Sequence, residues 1–196
     1  MSEIYVVDDN PGVLDAIKML LRSVGQSCRP FSSAADFLRE YDGAGPACLI
    51  LDVRMPGMSG LALQQELSAR GIRIPIIFLT GHGDVQLAVR AMRAGAYDFF
   101  EKPFNDHDLL DSINGALKLD ADLRSNREES LVLGDRLRRL TQREKSVFDL
   151  LCAGKSNEEI AGALSLSVRT VEGYRSRILA KLEVRSFLEL LRQLKF

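Results

Sequence analysis

Tryptophan is absent from the 196 residues, histidine occurs twice, cysteine three times and proline six times. The cysteines, Cys28, Cys48 and Cys152, are odd in number, widely spaced and set among apolar neighbours. That pattern argues against a disulfide framework or a thiolate metal cluster and fits a reducing cytoplasm. With only His82 and His107 available and no cysteine pair beside them, zinc has no ligand set. No stretch approaches the roughly 20 uninterrupted apolar residues of a membrane-spanning helix, so the chain reads as soluble and without a membrane partner. Met1-Ser2-Glu3 passes directly into an apolar run, with no basic segment or cleavage site, as expected of a chain lacking a secretory signal. Strong net charge is missing too: 46% hydrophobic residues at a net charge of −1 support a core rather than disorder. The length accommodates one large domain or two small ones.

The balanced total hides an asymmetry. Residues 1–118 hold 11 basic and 15 acidic side chains, residues 119–135 hold 2 and 5, and residues 136–196 hold 13 and 7. An acidic front and a basic tail predict an anionic partner for the tail, and nucleic acid is the commonest.

Residues 1–118 alternate two periodicities. Ile4–Val7 is a short buried-type strand ending in Asp8-Asp9, and Asn10-Pro11 caps a helix carrying Val13, Leu14, Ile17, Leu20, Leu21 and Val24 until Gly25. Ser27–Phe31 reads as a strand and Ala34–Tyr41 as a helix capped by Ser32 or Ser33. Cys48–Leu51 is a buried strand ending in Asp52, followed by a helix from about Gly60 to Arg70. Strand Ile74–Leu79 ends in Thr80, and helix Val85–Ala94 is capped by Asp84. Strand Tyr97–Phe100 runs into Glu101-Lys102-Pro103, and a last helix starts near Asp106. Five strands alternating with five helices predict a doubly wound α/β domain with a five-stranded parallel sheet. Such sheets bind ligands beyond the carboxyl ends of their strands, where Asp8, Asp9, Asp52, Thr80 and Lys102 would converge.

Three carboxylates gathered there repel one another and call for cations. Lys102 neutralises one. A hard divalent ion with oxygen ligands suits the rest, and Mg2+, for which Mn2+ could substitute, fits better than Ca2+ because the acidic set is small and is not an EF-hand loop. Asp52 is the candidate nucleophile, with the Val53-Arg54-Met55-Pro56-Gly57 loop leaving room above it. Its attack on phosphorus would give an aspartyl phosphate, stabilised by the Lys102 ammonium and the Thr80 hydroxyl, with Gly81 leaving space for the group.

Asp8-Asp9, Asp52 in Leu-Asp-Val-Arg-Met-Pro-Gly-Met-Ser-Gly, Thr80 in Leu-Thr-Gly-His-Gly-Asp, and Lys102-Pro103-Phe104 resemble the receiver domain of two-component response regulators, which has a flavodoxin-like fold. The likeness spans residues 1–118. It implies a phosphoryl group accepted on Asp52 from a histidine kinase. It also implies Mg2+ held by Asp9, Asp52 and the Arg54 backbone carbonyl, with Asp8 acting through water. Phe99 matches the aromatic switch that moves with Thr80, the Lys102-Pro103 bond is expected to be cis, and Arg54 and His82 sit where the family tunes the phosphoryl lifetime.

Residues 119–137 read as a polar, largely helical linker interrupted in propensity by Gly134. Beyond it lies an all-α segment, residues 138–196. Thr141-Gln-Arg-Glu144 is a capping box opening a helix that Gly154 closes, Ser156 caps a helix over Asn157–Leu164, and Ser167 caps a third. A fourth covers Phe187–Leu194. Two short helices, a turn and a longer basic helix form a helix-turn-helix layout suited to the major groove. Thr141–Glu144, the stretch 154–161 and Ser167-Val-Arg-Thr-Val-Glu172 resemble the LuxR-type four-helix DNA-binding domain, so the whole chain is similar to the NarL/FixJ class of response regulators. By matching position, Glu172, Gly173 and Ser176 face base edges, while Asn157, Arg169, Thr170, Tyr174, Arg175, Arg177 and Lys181 belong to the DNA-contacting set, mostly near phosphates. Glu172 is suited to a cytosine amino group. The implied partners are a cognate histidine kinase, promoter DNA, a second copy of the chain on phosphorylation, and RNA polymerase.

Two other readings stay open. A phosphatase-like enzyme turning over an aspartyl intermediate would want its nucleophile at the first strand end and a substrate cap, and no cap insertion is present. A constitutive DNA-binding protein with an inactive receiver conflicts with the intact Asp8, Asp9, Asp52, Thr80 and Lys102.

Overall fold

The computed structural model describes residues 2–81 and 85–194. The cap expected at Asp84 and the tuning position His82 lie outside the described residues. The chain divides into two compact units, 1–124 and 125–196.

In the first unit, β1 (Glu3–Val7), β2 (Arg29–Phe31), β3 (Ala47–Asp52), β4 (Ile76–Thr80) and β5 (Asp98–Glu101) alternate with α1 (Pro11–Ser23), α2 (Ala34–Glu40), α3 (Gly60–Ala69), α4 (Val85–Arg93) and the start of α5 (Asp106–Arg138). All strand pairs are parallel, in the order β2-β1-β3-β4-β5. The order reverses at β1 and β3, so the crevice opens between the residues that follow those two strands. Alternate strand residues feed opposite layers. Tyr5, Val7, Leu49, Leu51 and Phe78 pack with Phe37 of α2 and Leu63 of α3. Ile4, Val6, Ile50, Ile77 and Leu79 pack with Ile17 and Leu21 of α1 and Ile113 of α5. Cys48 is fully buried in that second layer, and burial pushes its thiol up to about 12, so it behaves as an apolar filler.

Several boundaries differ from the periodicity reading for identifiable reasons. β4 begins after Pro75, which has no N–H to give the ladder, although its carbonyl accepts from Leu49. β2 shrinks to three residues because, at the sheet edge, it pairs with β1 alone, from Tyr5↔Arg29 to Val7↔Phe31. The last receiver helix and the linker are one continuous helix that accommodates Gly134. Leu133 and Leu137 of that helix join the core of the second unit.

That unit is built from α6 (Gln142–Cys152), α7 (Asn157–Leu164), α8 (Val168–Leu182) and α9 (Phe187–Leu194) around Val147, Ile160, Val171, Ile178, Leu182 and Leu190. Thr141 and Ser156 form complete capping boxes with Glu144 and Glu159, and Ser167 caps α8. Glu144 does more than cap. It is 3% exposed, and its Oε2 accepts from the Thr141 N–H (2.7 Å), the Thr141 hydroxyl (2.9 Å) and Lys181 Nζ (2.6 Å). Lys181 and Thr141 hold this carboxyl well below the ordinary range, at about 2. A depressed carboxyl pKa stabilises the fold above the unfolded value of 4.5, and the contribution disappears as pH falls from there toward 2. Methyl NMR of Val171 and Ile178 during urea titration should therefore show the second unit weakening over that window. Glu144→Ala should cost about 2 kcal/mol at neutral pH, combining a lost cap with an unpaired partner, and should flatten the acid dependence.

Candidate functional site

The strand ends deliver the expected side chains to one place. Asp8 follows β1, Asp52 closes β3, Thr80 closes β4 and Lys102 follows β5. Asp8 is 2% exposed, Asp52 7% and Thr80 1%. Lys102 Nζ lies 2.6 Å from Asp8 Oδ2 and 2.8 Å from Asp52 Oδ1, bridging two carboxylates. The other oxygens are held by backbone: Asn10 N–H donates to Asp8 Oδ1 (2.9 Å) and Arg54 N–H to Asp52 Oδ2 (2.7 Å). Lys102 N–H also donates to the Thr80 carbonyl (2.7 Å), fixing the lysine to the strand that carries the hydroxyl. The Lys102-Pro103 bond is cis.

Burial pushes the Asp52 carboxyl above its ordinary value. Lys102 and the Arg54 N–H pull it back without cancelling the rise, and Asp8 adds to it. Lys102 is held above its ordinary value because its bonds to Asp52 and Asp8 outweigh burial. One firmly charged ammonium thus serves two buried carboxylates and leaves negative charge only partly balanced.

Asp9 is exposed beside this cluster, Arg54 and Gly81 are exposed, and a Cβ built on Gly81 meets nothing within 4 Å. Phe99 is half-buried and packs near Phe78, ring centroids 6.3 Å apart. Among the described residues, no three His, Cys, Asp or Glu side chains are gathered as a metal cluster. The donor chemistry nonetheless suits a hard cation, because carboxylate oxygens dominate at these strand ends.

Periodicity did not single out Gly60. A Cβ there would lie 2.2 Å from the Asp52 carbonyl oxygen, and the Gly60 N–H donates to the Val53 carbonyl (3.0 Å). Only glycine lets α3 start against the backbone of Asp52. The available signal was a poor helix former directly after the Ser59 cap, with no turn to require it. Gln64 was also missed: it is 4% exposed and donates Nε2 to the Ala91 carbonyl of α4 (3.2 Å).

In the second unit, Arg169, Glu172, Ser176 and Arg177 are exposed on α8, while Thr170, Gly173, Tyr174, Arg175 and Lys181 are half-buried. Arg175 donates to Asn157 Oδ1 (3.0 Å), joining α8 to α7. Arg177 stacks over Tyr174 at 4.6 Å and donates to the Gly173 carbonyl. Lys181, grouped on sequence with the DNA-contacting set, directs its ammonium to Glu144 and the Arg139 carbonyl.

Comparison with known proteins matches residues 4–114 to the response regulator receiver domain and residues 138–194 to the luxR family of bacterial regulatory proteins. The transcriptional regulatory protein TdiR of Thauera aromatica is 44% identical, over 94% of this chain and 82% of that protein. A structure of the response regulator StyR is 42% identical with a TM-score of 0.84, covering 99% of this chain and 98% of that one. Full-length FixJ from B. japonicum is 38% identical with a TM-score of 0.61, covering 97% and 94%.

Lys102→Met should raise the Asp52 carboxyl further, which carboxyl-carbon NMR titration reads directly. A carboxyl raised above its unfolded value of 3.8 stabilises only below that value. The variant should therefore lose stability, by about 3 kcal/mol, as pH rises through the new folded value.

Proposed function

The chain belongs to the transcriptional response regulators that join a receiver domain to a LuxR-type DNA-binding domain, and on that premise we propose that it is switched by a phosphoryl group on Asp52. The carrying observation is the Lys102 ammonium bridging buried Asp8 and Asp52. A carboxylate oxygen of Asp52 attacks the phosphorus of a phosphohistidine on a cognate histidine kinase. The P–N bond breaks, the imidazole leaves with a proton, and an acyl phosphate remains on Asp52. Lys102 and the Thr80 hydroxyl stabilise the equatorial oxygens, and the open space at Gly81 receives them. Asp9, Asp52 and the Arg54 carbonyl, with Asp8 through water, would hold Mg2+ or its substitute Mn2+, which supplies further positive charge to those oxygens. The chain assists only its own phosphorylation and dephosphorylation, the latter tuned at Arg54 and His82.

In this reading residues 1–118 are the receiver, 119–137 a helical linker and 138–196 the DNA-binding domain. Thr80 and Phe99 shift together when the phosphoryl group arrives, biasing the receiver toward a state that pairs with a second copy. α8 enters the major groove of promoter DNA. Glu172, Gly173 and Ser176 are nearest base edges, and Gly173 offers no side chain for readout. Arg169, Thr170, Arg175 and Arg177 lie nearer phosphates, with Asn157 and Tyr174 orienting the last two through the contacts described. Lys181 braces the helix against Glu144. Activation or repression then follows from contact with, or exclusion of, RNA polymerase.

The test uses the full chain, with and without acetyl phosphate, on a duplex selected from a random-sequence pool. Phosphorylation should raise affinity about tenfold or more and increase oligomer mass. Equal affinity and equal mass in both states would contradict the proposal.

A further inference from the structure

The stretch of α5 just past the receiver core carries a buried acid that the phosphoryl chemistry does not use. Asp120 is 2% exposed, and its Oδ2 accepts from the Ala47 N–H (2.8 Å) and from Arg124 Nε (2.6 Å). Arg124 also donates Nη1 to the Gly43 carbonyl (2.9 Å). Tyr41 packs against Phe37 and Tyr5, centroids 5.2 and 5.4 Å away. A helix that merely covered a sheet would present an apolar side chain here. A buried carboxylate is tolerated only where directional partners compensate its desolvation, and this one has partners on β3, on its own helix and, through Arg124, on the loop before β3.

The position of that attachment gives it meaning. Ala47 opens β3, and Asp52 closes the same six-residue strand, a span of roughly 16 Å. The phosphoacceptor and the α5 anchor therefore sit at opposite ends of one central strand. Beyond Arg124, residues 125–132 are exposed apart from half-buried Asn126, and Leu133, 4% exposed, is the next α5 residue buried in a core, that of the second unit.

We propose that Asp120 and Arg124 form a positioning anchor through which the phosphorylation state of the receiver is passed to α5 residues 125–132. The proposal rests on the reading of Asp52 as phosphoacceptor. Asp120→Asn keeps an acceptor oxygen but removes the charge, and Arg124→Met keeps the aliphatic stem. Both are compared with wild type as full chains. Amide hydrogen exchange over residues 118–132 should speed up at least about tenfold in both, while β1 and β4 keep wild-type protection and acetyl phosphate still adds its phosphoryl mass. The wild-type gain in affinity on phosphorylation, for a duplex selected from a random pool, should shrink about fivefold or more, with unphosphorylated affinity unchanged. Wild-type exchange rates over 118–132 would overturn the anchor. Faster exchange with a full wild-type response would overturn its role in coupling. A wild type that takes up phosphate without changing its DNA affinity would instead overturn the switch reading and the coupling role with it, leaving exchange alone to judge the anchor.

Discussion

A single ammonium shared by two buried carboxylates sets the conditions for everything around the crevice. Lys102 bridges Asp8 and Asp52, and it counters burial, which drives the Asp52 carboxyl upward. Lys102 reaches both from the end of β5, which runs past the ends of β1 and β3 in the sheet register, and its own N–H is fixed to the Thr80 carbonyl. The backbone N–H groups of Asn10 and Arg54 finish the arrangement by holding the remaining oxygens. The result is a buried, partly desolvated carboxylate held by one ammonium and one backbone N–H. That suits an acceptor of a transferable anion better than a salt bridge kept for stability, since buried ion pairs contribute little net stability.

The second unit uses the same economy of buried charge for a different end. Glu144 closes the cap of α6 and grips Lys181 near the end of α8, and Arg136 donates to the carbonyl of Leu182 (3.1 Å). The carboxyl end of α8 is thereby fixed from two neighbours. Arg169, Glu172 and Ser176 of the same helix are exposed.

Much of this was legible in sequence because the signals were local. Short apolar runs that stop at Asp8, Asp52, Thr80 and Lys102 marked strand ends, and a parallel sheet has to bring such ends together. Capping boxes at Thr141 and Ser156 are likewise written within four residues. What escaped depended on tertiary contact. Asp120 and Arg124 form an i,i+4 pair in a polar stretch that reads the same exposed or buried, and only the approach of Ala47 and Gly43 gives it a role. Lys181 reads in sequence as one more cation on a basic helix, and its ion pair with Glu144 exists only in the fold. Gly60 is an ordinary glycine in sequence and a steric requirement in the fold, because its neighbour is the backbone of Asp52.

The role of Asp52 as a cation-dependent phosphoacceptor is read most directly by intact mass spectrometry. Wild type and Asp52→Asn are incubated with acetyl phosphate in Mg2+ and in chelator. The expected result is one phosphoryl adduct on the wild type in Mg2+, none on the variant and none in chelator. An equal adduct on Asp52→Asn, or no adduct on the wild type under any condition, would contradict it.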